Sequence, residues 1–219
     1  IERPKPTLKI LAKWAKDPNM HVRRLVSEGS RPRLPWGERI SAFVDDPSPI
    51  LPLLEALKDD PEEYVRRSVA NNLNDIAKDN PERMLDVVES WLRDADKNRL
   101  RLISHACRSL VKAGHPRCMA LLGLALRRDF PHYYGYFSLR SFDWKGKEIR
   151  GHNKVLDTVA GADGIKTGYI RASGYNLAAS VRRSGKSLVA VVMGGKTGSA
   201  RDAHMEQLLT ATFNRSRRR

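Results

Sequence analysis

The sequence predicts an α+β chain: a helical solenoid followed by a small antiparallel α/β piece. Helix-period text fills residues 1–124, with Pro and Gly mostly as punctuation. Inside it the string VRR recurs, at 22–24 and again at 65–67. After about Leu124 the period changes to short β-type runs around DGIKTGYIRASGYNL (163–177). A run of helices followed by a run of strands favours segregated parts over an alternating parallel sheet. The expected domains are therefore 1–124 and 125–219.

Bulk numbers limit the function classes. A chain of 219 residues suffices for one large domain or two small ones. No apolar run approaches the ~20 residues that span a bilayer, and the longest, LVAVVMGG (188–195), is strand-sized. The start IERPKPTLKI has charges and prolines where a signal peptide needs an apolar stretch. A cytoplasmic location follows as the expectation, and an extracytoplasmic one if a signal peptide precedes Ile1. The net charge of +15 is uneven: residues 1–124 hold 22 Lys/Arg and 18 Asp/Glu, residues 125–219 hold 18 and 7. The RSRRR end (215–219) supplies four of those cations. Such a tail binds any polyanion, so its sign does not choose between nucleic acid and a membrane surface. Cys107 and Cys118 lie in apolar helical text without ligand spacing and read as free buried thiols. No metal or cofactor is implied, and a monomer is expected.

In the first part, Asp60-Pro61-Glu62-Glu63 reads as a helix start with Asp as N-cap and Pro at the first helical position. Asn80-Pro81-Glu82 repeats the device. LPLLEAL (51–57) and Met84, Leu85, Val87, Val88, Trp91 and Leu92 carry an apolar helical face. Val22-Arg23-Arg24 returns 43 residues on as Val65-Arg66-Arg67, and a fainter copy, Leu102 to Ala106, follows 37 later. Periods of roughly 40–47 residues are the mark of HEAT-like solenoids, whose repeated side chains line a concave face. Arg23, Arg24, Arg66 and Arg67 would there form a ladder for phosphates, unless they pair with acids of adjacent helices.

The strings HVRRLVSEGSRPRLPWG (21–37), YVRRSVANNLNDIAKDNP (64–81) and ISHACRSLVKAGHPRCMALLG (103–123) resemble the AlkC-type DNA glycosylases, HEAT-like alkylation-repair proteins. The resemblance covers about residues 1–124 and implies an N-terminally truncated copy. It implies excision of cationic methylated bases of the 3-methyladenine type from alkylated double-stranded DNA. A base methylated on a ring nitrogen is already a good leaving group. The enzyme then needs a carboxylate near C1′ to stabilise the oxocarbenium charge and orient water. Glu28 is the first candidate and Asp75 the second, although an Asp in a repeat turn often serves only a loop. Trp36 would pack on sugar or base, or else staple a turn. Arg31 and Arg33 would clamp phosphate, and Asn71, Asn72 and Asn74 would supply hydrogen bonds. His21 and His105 read as packing or hydrogen-bonding residues.

In the second part, aromatics cluster in FPHYYGYFSLRSFDW (130–144). Tyr175 to Val181 and Leu188 to Met193 read as a hairpin through Arg183-Ser184-Gly185-Lys186, and Asp202 to Phe213 as a closing helix. Residues 125–213 resemble the C-terminal part of the catalytic domain of serine D-alanyl-D-alanine carboxypeptidases, the low-mass penicillin-binding proteins. Lys166-Thr167-Gly168 matches that family's KTG box on an edge strand. The resemblance implies that Lys166 and Thr167 hold the terminal carboxylate of a peptidoglycan stem peptide or a β-lactam, with Gly168 admitting its backbone. A lone KTG is weak, since Lys196-Thr197-Gly198 repeats it, and the flanking residues carry the likeness. The family's S-x-N is absent, and the only S-x-x-K, Ser109-Leu110-Val111-Lys112, lies in text that the first resemblance explains. The second half is therefore expected to be inert, and the whole to be a fusion of two incomplete domains. Three functions follow: a base-excising DNA-repair protein, a carboxypeptidase fragment, or a basic module that binds DNA or another polyanion without turnover.

Overall fold

The computed structural model describes residues 4–183 and 185–216; Ser184 of the expected hairpin turn and Arg217 to Arg219 of the basic end lie outside them. The chain divides into two compact units, residues 1–113 and 114–219. The first is helical, the second mixed, as the change of period predicts.

In the first unit, helices α1 (Pro4–Trp14), α2 (Met20–Gly29), α3 (Ser41–Asp45) and α4 (Leu51–Leu57) lead to the long α5 (Glu63–Asp79). Then come α6 (Pro81–Trp91), α7 (Lys97–Ala106) and α8 (Arg108–Ala113). Helix α5 is the centre: it packs against α2, α6 and α7, and ten of its residues are buried. Its apolar positions Val65, Val69, Leu73 and Ile76 follow the 3–4 spacing of one face and are all but fully buried. Each such side chain contributes about 1.5–3 kcal/mol to cohesion. The Asp60 carboxylate accepts the Glu62 N–H at 2.9 Å, so the helix starts at Glu63, three residues past the expected cap. Asn80 and Pro81 do start α6, but the Asn80 amide donates to the Val44 carbonyl at 2.6 Å instead of capping.

The second unit contains α9 (Pro116–Asp129), α10 (Pro131–Tyr134), β1 (Ser141–Trp144), β2 (Lys147–Arg150) and α11 (Val155–Thr158). These precede β3 (Ala162–Ile170), β4 (Gly174–Arg183), β5 (Lys186–Gly195) and α12 (Gly198–Ser216). Strands β1 and β2 form a two-stranded ribbon; β3, β4 and β5 form an antiparallel sheet in that order, with β3 at an edge. The expected hairpin is the β4–β5 pair, in register from Arg183 and Lys186 onward. On one sheet face Leu177, Ala179, Val181, Ala190 and Val192 pack with Met205, Leu209 and Phe213 of α12. The alternate residues of β5 face the other way. There Val189 lies against Gly123 of α9, where an added Cβ would come within 3.1 Å of it and 2.9 Å of Ile165.

Helix α9 thus belongs with the sheet, and the compact units meet before it, ahead of the textural change at Leu124. Its apolar residues Cys118 and Leu121 are buried, and it covers a face that the strands alone would leave bare. Cys107 and Cys118 are both buried, and neither is in a disulfide among the described residues.

Candidate nucleic-acid interface and carboxylate cluster

The repeated arginines divide into two kinds. Arg23 donates through Nε and Nη2 to the two oxygens of Asp60, at 2.6 and 3.0 Å, and through Nη1 to the carbonyls of Asp17 and Pro18, at 2.9 and 3.0 Å. Arg66, one period on, does the same locally: its Nη1 donates to the Asp60 and Pro61 carbonyls. In both copies the first arginine ties the Asp-Pro turn that leads into its own helix. Arg23 commits all three of its nitrogens this way, which replaces the phosphate role expected for it, whereas Arg66 commits only Nη1 and keeps Nε and Nη2 for the role expected of it.

The second arginines stand differently. Arg24 lies over the Tyr64 ring, 4.6 Å from its centroid, and meets Glu28 Oε2 at 3.3 Å. Arg67 is exposed and has no ion pair among the described residues. It lines a pocket of about 200 Å³ with Glu63, Arg66, Asn98, Arg101 and His105. Arg101 is exposed too. Arg108 donates to two neutral oxygens, the His105 carbonyl at 2.6 Å and Asn71 Oδ1 at 3.1 Å. Burial pulls the His105 imidazole below its usual value, and the nearby Arg108 and Arg67 add to that, so the ring is neutral at pH 7. It shares Asn71 Oδ1 at 2.9 Å, a contact that fits its expected hydrogen-bonding role.

The three asparagines of NNLND also part ways. Asn71 is half-buried beside those cations. Asn72 is fully buried and donates to the Ser27 carbonyl at 2.8 Å, binding α5 to α2. Asn74, 2% exposed, donates to the Ala106 carbonyl at 2.8 Å and accepts from Ser109 Oγ at 3.0 Å, binding α5 to the end of α7 and to α8. Asn72 and Asn74 are therefore inter-helix ties, not DNA contacts: helical phase puts residues one and three positions after Asn71 on the inner side.

Glu28 and Asp75 come together, though from text more than forty residues apart, because α2 and α5 pack side by side. Arg31, 7% exposed, joins them: Nη1 donates to Glu28 Oε1 at 2.7 Å and Nε to Asp75 Oδ2 at 2.7 Å, with Nη2 in ion-pair contact with that same oxygen at 2.7 Å. Glu28 Oε2 accepts from Ser68 Oγ at 2.7 Å, and Asp75 Oδ1 from Lys78 Nζ at 2.8 Å. Burial pushes the Glu28 carboxyl up, but the Ser68 hydroxyl, Arg31 and Arg24 outweigh it and hold the group below the usual carboxylate range. The Glu28 side chain keeps 19% of its surface open, that of Asp75 only 3%. Arg31 is thus too buried and too fully bonded to clamp phosphate, and Arg33 is paired with Asp79. Trp36, with a left-handed φ of 65°, stands fully exposed and staples no turn.

The sequence reading did not name Ser68, Lys78, Arg101 or Arg108. Ser68 follows Arg67 directly, and Lys78 and Arg101 lie one or two turns from singled-out residues, so helical phase was the usable signal.

In the second unit, Lys166, Thr167 and Gly168 lie on the edge strand β3, opposite Ala178, Leu177 and Asn176 of β4. They line a groove of about 470 Å³ with His152, Lys154, Tyr169, Tyr175, Arg201 and Asp202. Lys166 is exposed, and its ammonium donates to the Thr167 carbonyl at 2.8 Å. Arg201 is buried against Asp202, with bonds of 2.9 and 2.6 Å. In the second KTG, Thr197 Oγ1 accepts the Ala200 N–H at 3.0 Å and so caps α12.

Comparison with known proteins assigns the two parts separately. The family model of DNA alkylation repair enzymes matches residues 2–112, and that of D-alanyl-D-alanine carboxypeptidases matches residues 110–197. The Bacillus subtilis protein YhaZ is 48% identical over 123 residues, which is 56% of this chain and 34% of YhaZ. The Pseudomonas fluorescens alkylpurine DNA glycosylase AlkC, solved bound to DNA containing an abasic site analog, is 47% identical with a TM-score of 0.51. That match covers 54% of this chain and 33% of AlkC. The Escherichia coli D-alanyl-D-alanine carboxypeptidase DacA is 39% identical over 98 residues, 44% of this chain and 24% of DacA. The chain thus spans about a third and a quarter of the lengths of these relatives. Through its first half the chain belongs to the DNA alkylation repair enzymes, and a D-alanyl-D-alanine carboxypeptidase-like fragment is joined behind it.

Proposed function

We propose that the first unit binds alkylated duplex DNA and excises cationic methylated bases of the 3-methyladenine type, with Glu28 as the carboxylate at the sugar. The observation that carries the reading is that Glu28 of α2 is at once ionised, oriented and partly open, in the same unit as Arg67 of α5, Arg101 of α7 and Arg108 of α8. As the C1′–N bond breaks, its electrons neutralise the cationic base. The sugar is left as an oxocarbenium ion, which a fixed carboxylate stabilises. Water oriented by the same carboxylate then adds to C1′ and gives up its proton. The unpaired arginines supply phosphate contacts whose strength falls with salt. Trp36 offers a free aromatic face for a base or sugar.

The test is release of methylated bases from alkylated duplex DNA by the full chain, with Glu28→Gln alongside. Release by the parent and loss in the variant is the expected result. Equal, negligible release from both overturns excision; salt-sensitive binding indifferent to lesions then identifies a non-catalytic DNA-binding module.

A second reading attaches to the second unit, where the groove at Lys166, Thr167 and Gly168 would take the terminal carboxylate of a stem peptide or a β-lactam. Acylation is not expected, because the Ser109 hydroxyl of the only S-x-x-K donates to Asn74. Covalent labelling by a fluorescent penicillin, abolished by Ser109→Ala, would overturn that expectation.

A further inference from the structure

Within the first unit the two candidate carboxylates are unequal. Both oxygens of Asp75 are taken, one by Arg31 and one by Lys78, and its side chain is closed to solvent. Only 3% of its side-chain surface is left open to a water at C1′. Glu28 has one oxygen on Arg31 and the other on Ser68 and Arg24, and its side chain keeps 19% of its surface open. The guanidinium between them is planar, so two fixed edges set the angle between the carboxylates.

We propose that Arg31 is a positioning residue that fixes the Glu28 carboxylate, and that Asp75 acts on it by holding Arg31 from the other side. This rests on the reading of the first unit as base-excising. The charged groups facing the pair are Arg24 on α2, Arg31 after it, Lys78 on α5 and, within reach of Asp75 and Arg31, Arg108 on α8. Of these, Arg31 and Arg24 hold the Glu28 carboxyl below its usual range, together with the Ser68 hydroxyl. A lysine at position 31 retains charge but has one point of attachment, so it can serve one carboxylate and not both.

The experiment compares Arg31→Lys, Arg31→Gln, Asp75→Asn and Ser68→Ala in the full chain. Single-turnover excision across pH, binding to undamaged duplex across salt, and the ¹³C titration of the Glu28 carboxyl (identified by its loss in Glu28→Gln) are measured for each. Arg31→Lys and Asp75→Asn are expected to slow excision by up to roughly 100-fold, the scale of a misplaced group. Arg31→Lys should also move the acid limb of the rate and the Glu28 titration upward, with the salt dependence of binding unchanged; Asp75→Asn removes a like charge, so an upward movement there reports Arg31 leaving Glu28. Asp75→Glu, which keeps the charge, should recover part of the rate. A fall of about 1 in the salt slope of Arg31→Gln, which removes the charge that lysine keeps, with its bound-state rate intact, would make Arg31 a phosphate contact and overturn the proposal. An unmoved Glu28 titration in Arg31→Lys would overturn it as well. Should the parent release no base, excision fails as a function, while the titration still decides the positioning. Ser68→Ala removes a single bond to Glu28; a smaller upward movement there is expected, and keeps the test decisive if Arg31→Lys does not fold.

Discussion

Replacing Asn74 by Ala separates a structural asparagine from a DNA-contacting one. The native amide donates to the carbonyl of Ala106, which ends α7 and is fully buried, and accepts from Ser109 Oγ. Truncation orphans the Ala106 carbonyl, at about 1–3 kcal/mol for a buried acceptor. Ser109 turns to a carbonyl one helical turn back and loses little. Loss of the packed amide atoms adds about 1 kcal/mol, for a total of about 2–4 kcal/mol. At roughly 4 °C per kcal/mol for a unit of about this size, Tm of the first unit should fall by about 8–16 °C. Far-UV circular dichroism, followed with and without duplex DNA, reads this directly. Asn71→Ala is the companion: it should leave Tm within about 2 °C, since Asn71 is half-buried and bonds to groups that reach solvent. An Asn74→Ala protein with parental Tm and lost DNA binding would refute the reasoning and return Asn74 to the interface.

Arg67→Ala should lower the salt slope of duplex binding by about 1 without changing Tm, while Arg23→Ala should lower Tm and leave the slope alone; filter binding across salt and thermal melts distinguish them. Because Glu28 titrates below its unfolded value, its contribution to stability is present above that unfolded value and is lost as pH falls through the folded one. Tm of the parent should therefore decline on acidification more steeply than that of Glu28→Gln. Gly123→Leu should loosen α9 from the sheet, at about 1–3 kcal/mol, since even a Cβ there crowds Ile165 and Val189; near-UV circular dichroism of the second unit follows the loss.

Much of the fold is legible from local pattern. The period of α5, the Pro start of α6, the β4–β5 hairpin and α12 with Met205, Leu209 and Phe213 inward all follow from apolar spacing and turn residues. The β1–β2 ribbon is not, because aromatic text in FPHYYGYFSLRSFDW hides its two-residue turn, Lys145-Gly146, both at positive φ. The fate of α9 is equally invisible: an amphipathic helix does not state which neighbour its apolar face will meet. At the candidate site, sequence supplies which residues carry charge but not which donors are already spent. Arg23, Arg24, Arg66 and Arg67 are alike in the text; only the location of Asp60 and of the Asp-Pro carbonyls separates ties from free cations. Glu28 and Asp75 were singled out separately, and nothing in their spacing announces the guanidinium between them.

The bonds of Arg23 and Arg66 have one more consequence. Each reaches the carbonyls five and six residues before it, in DPNMHVRR and in DPEEYVRR alike. Donors and acceptors recur together with the letters, the trace expected of a segment copied whole. Stability in such an array is a sum over modules and their nearest neighbours. Gain or loss of a full 43-residue module keeps each arginine with the turn it closes, whereas an indel inside the five or six residues between them breaks those bonds.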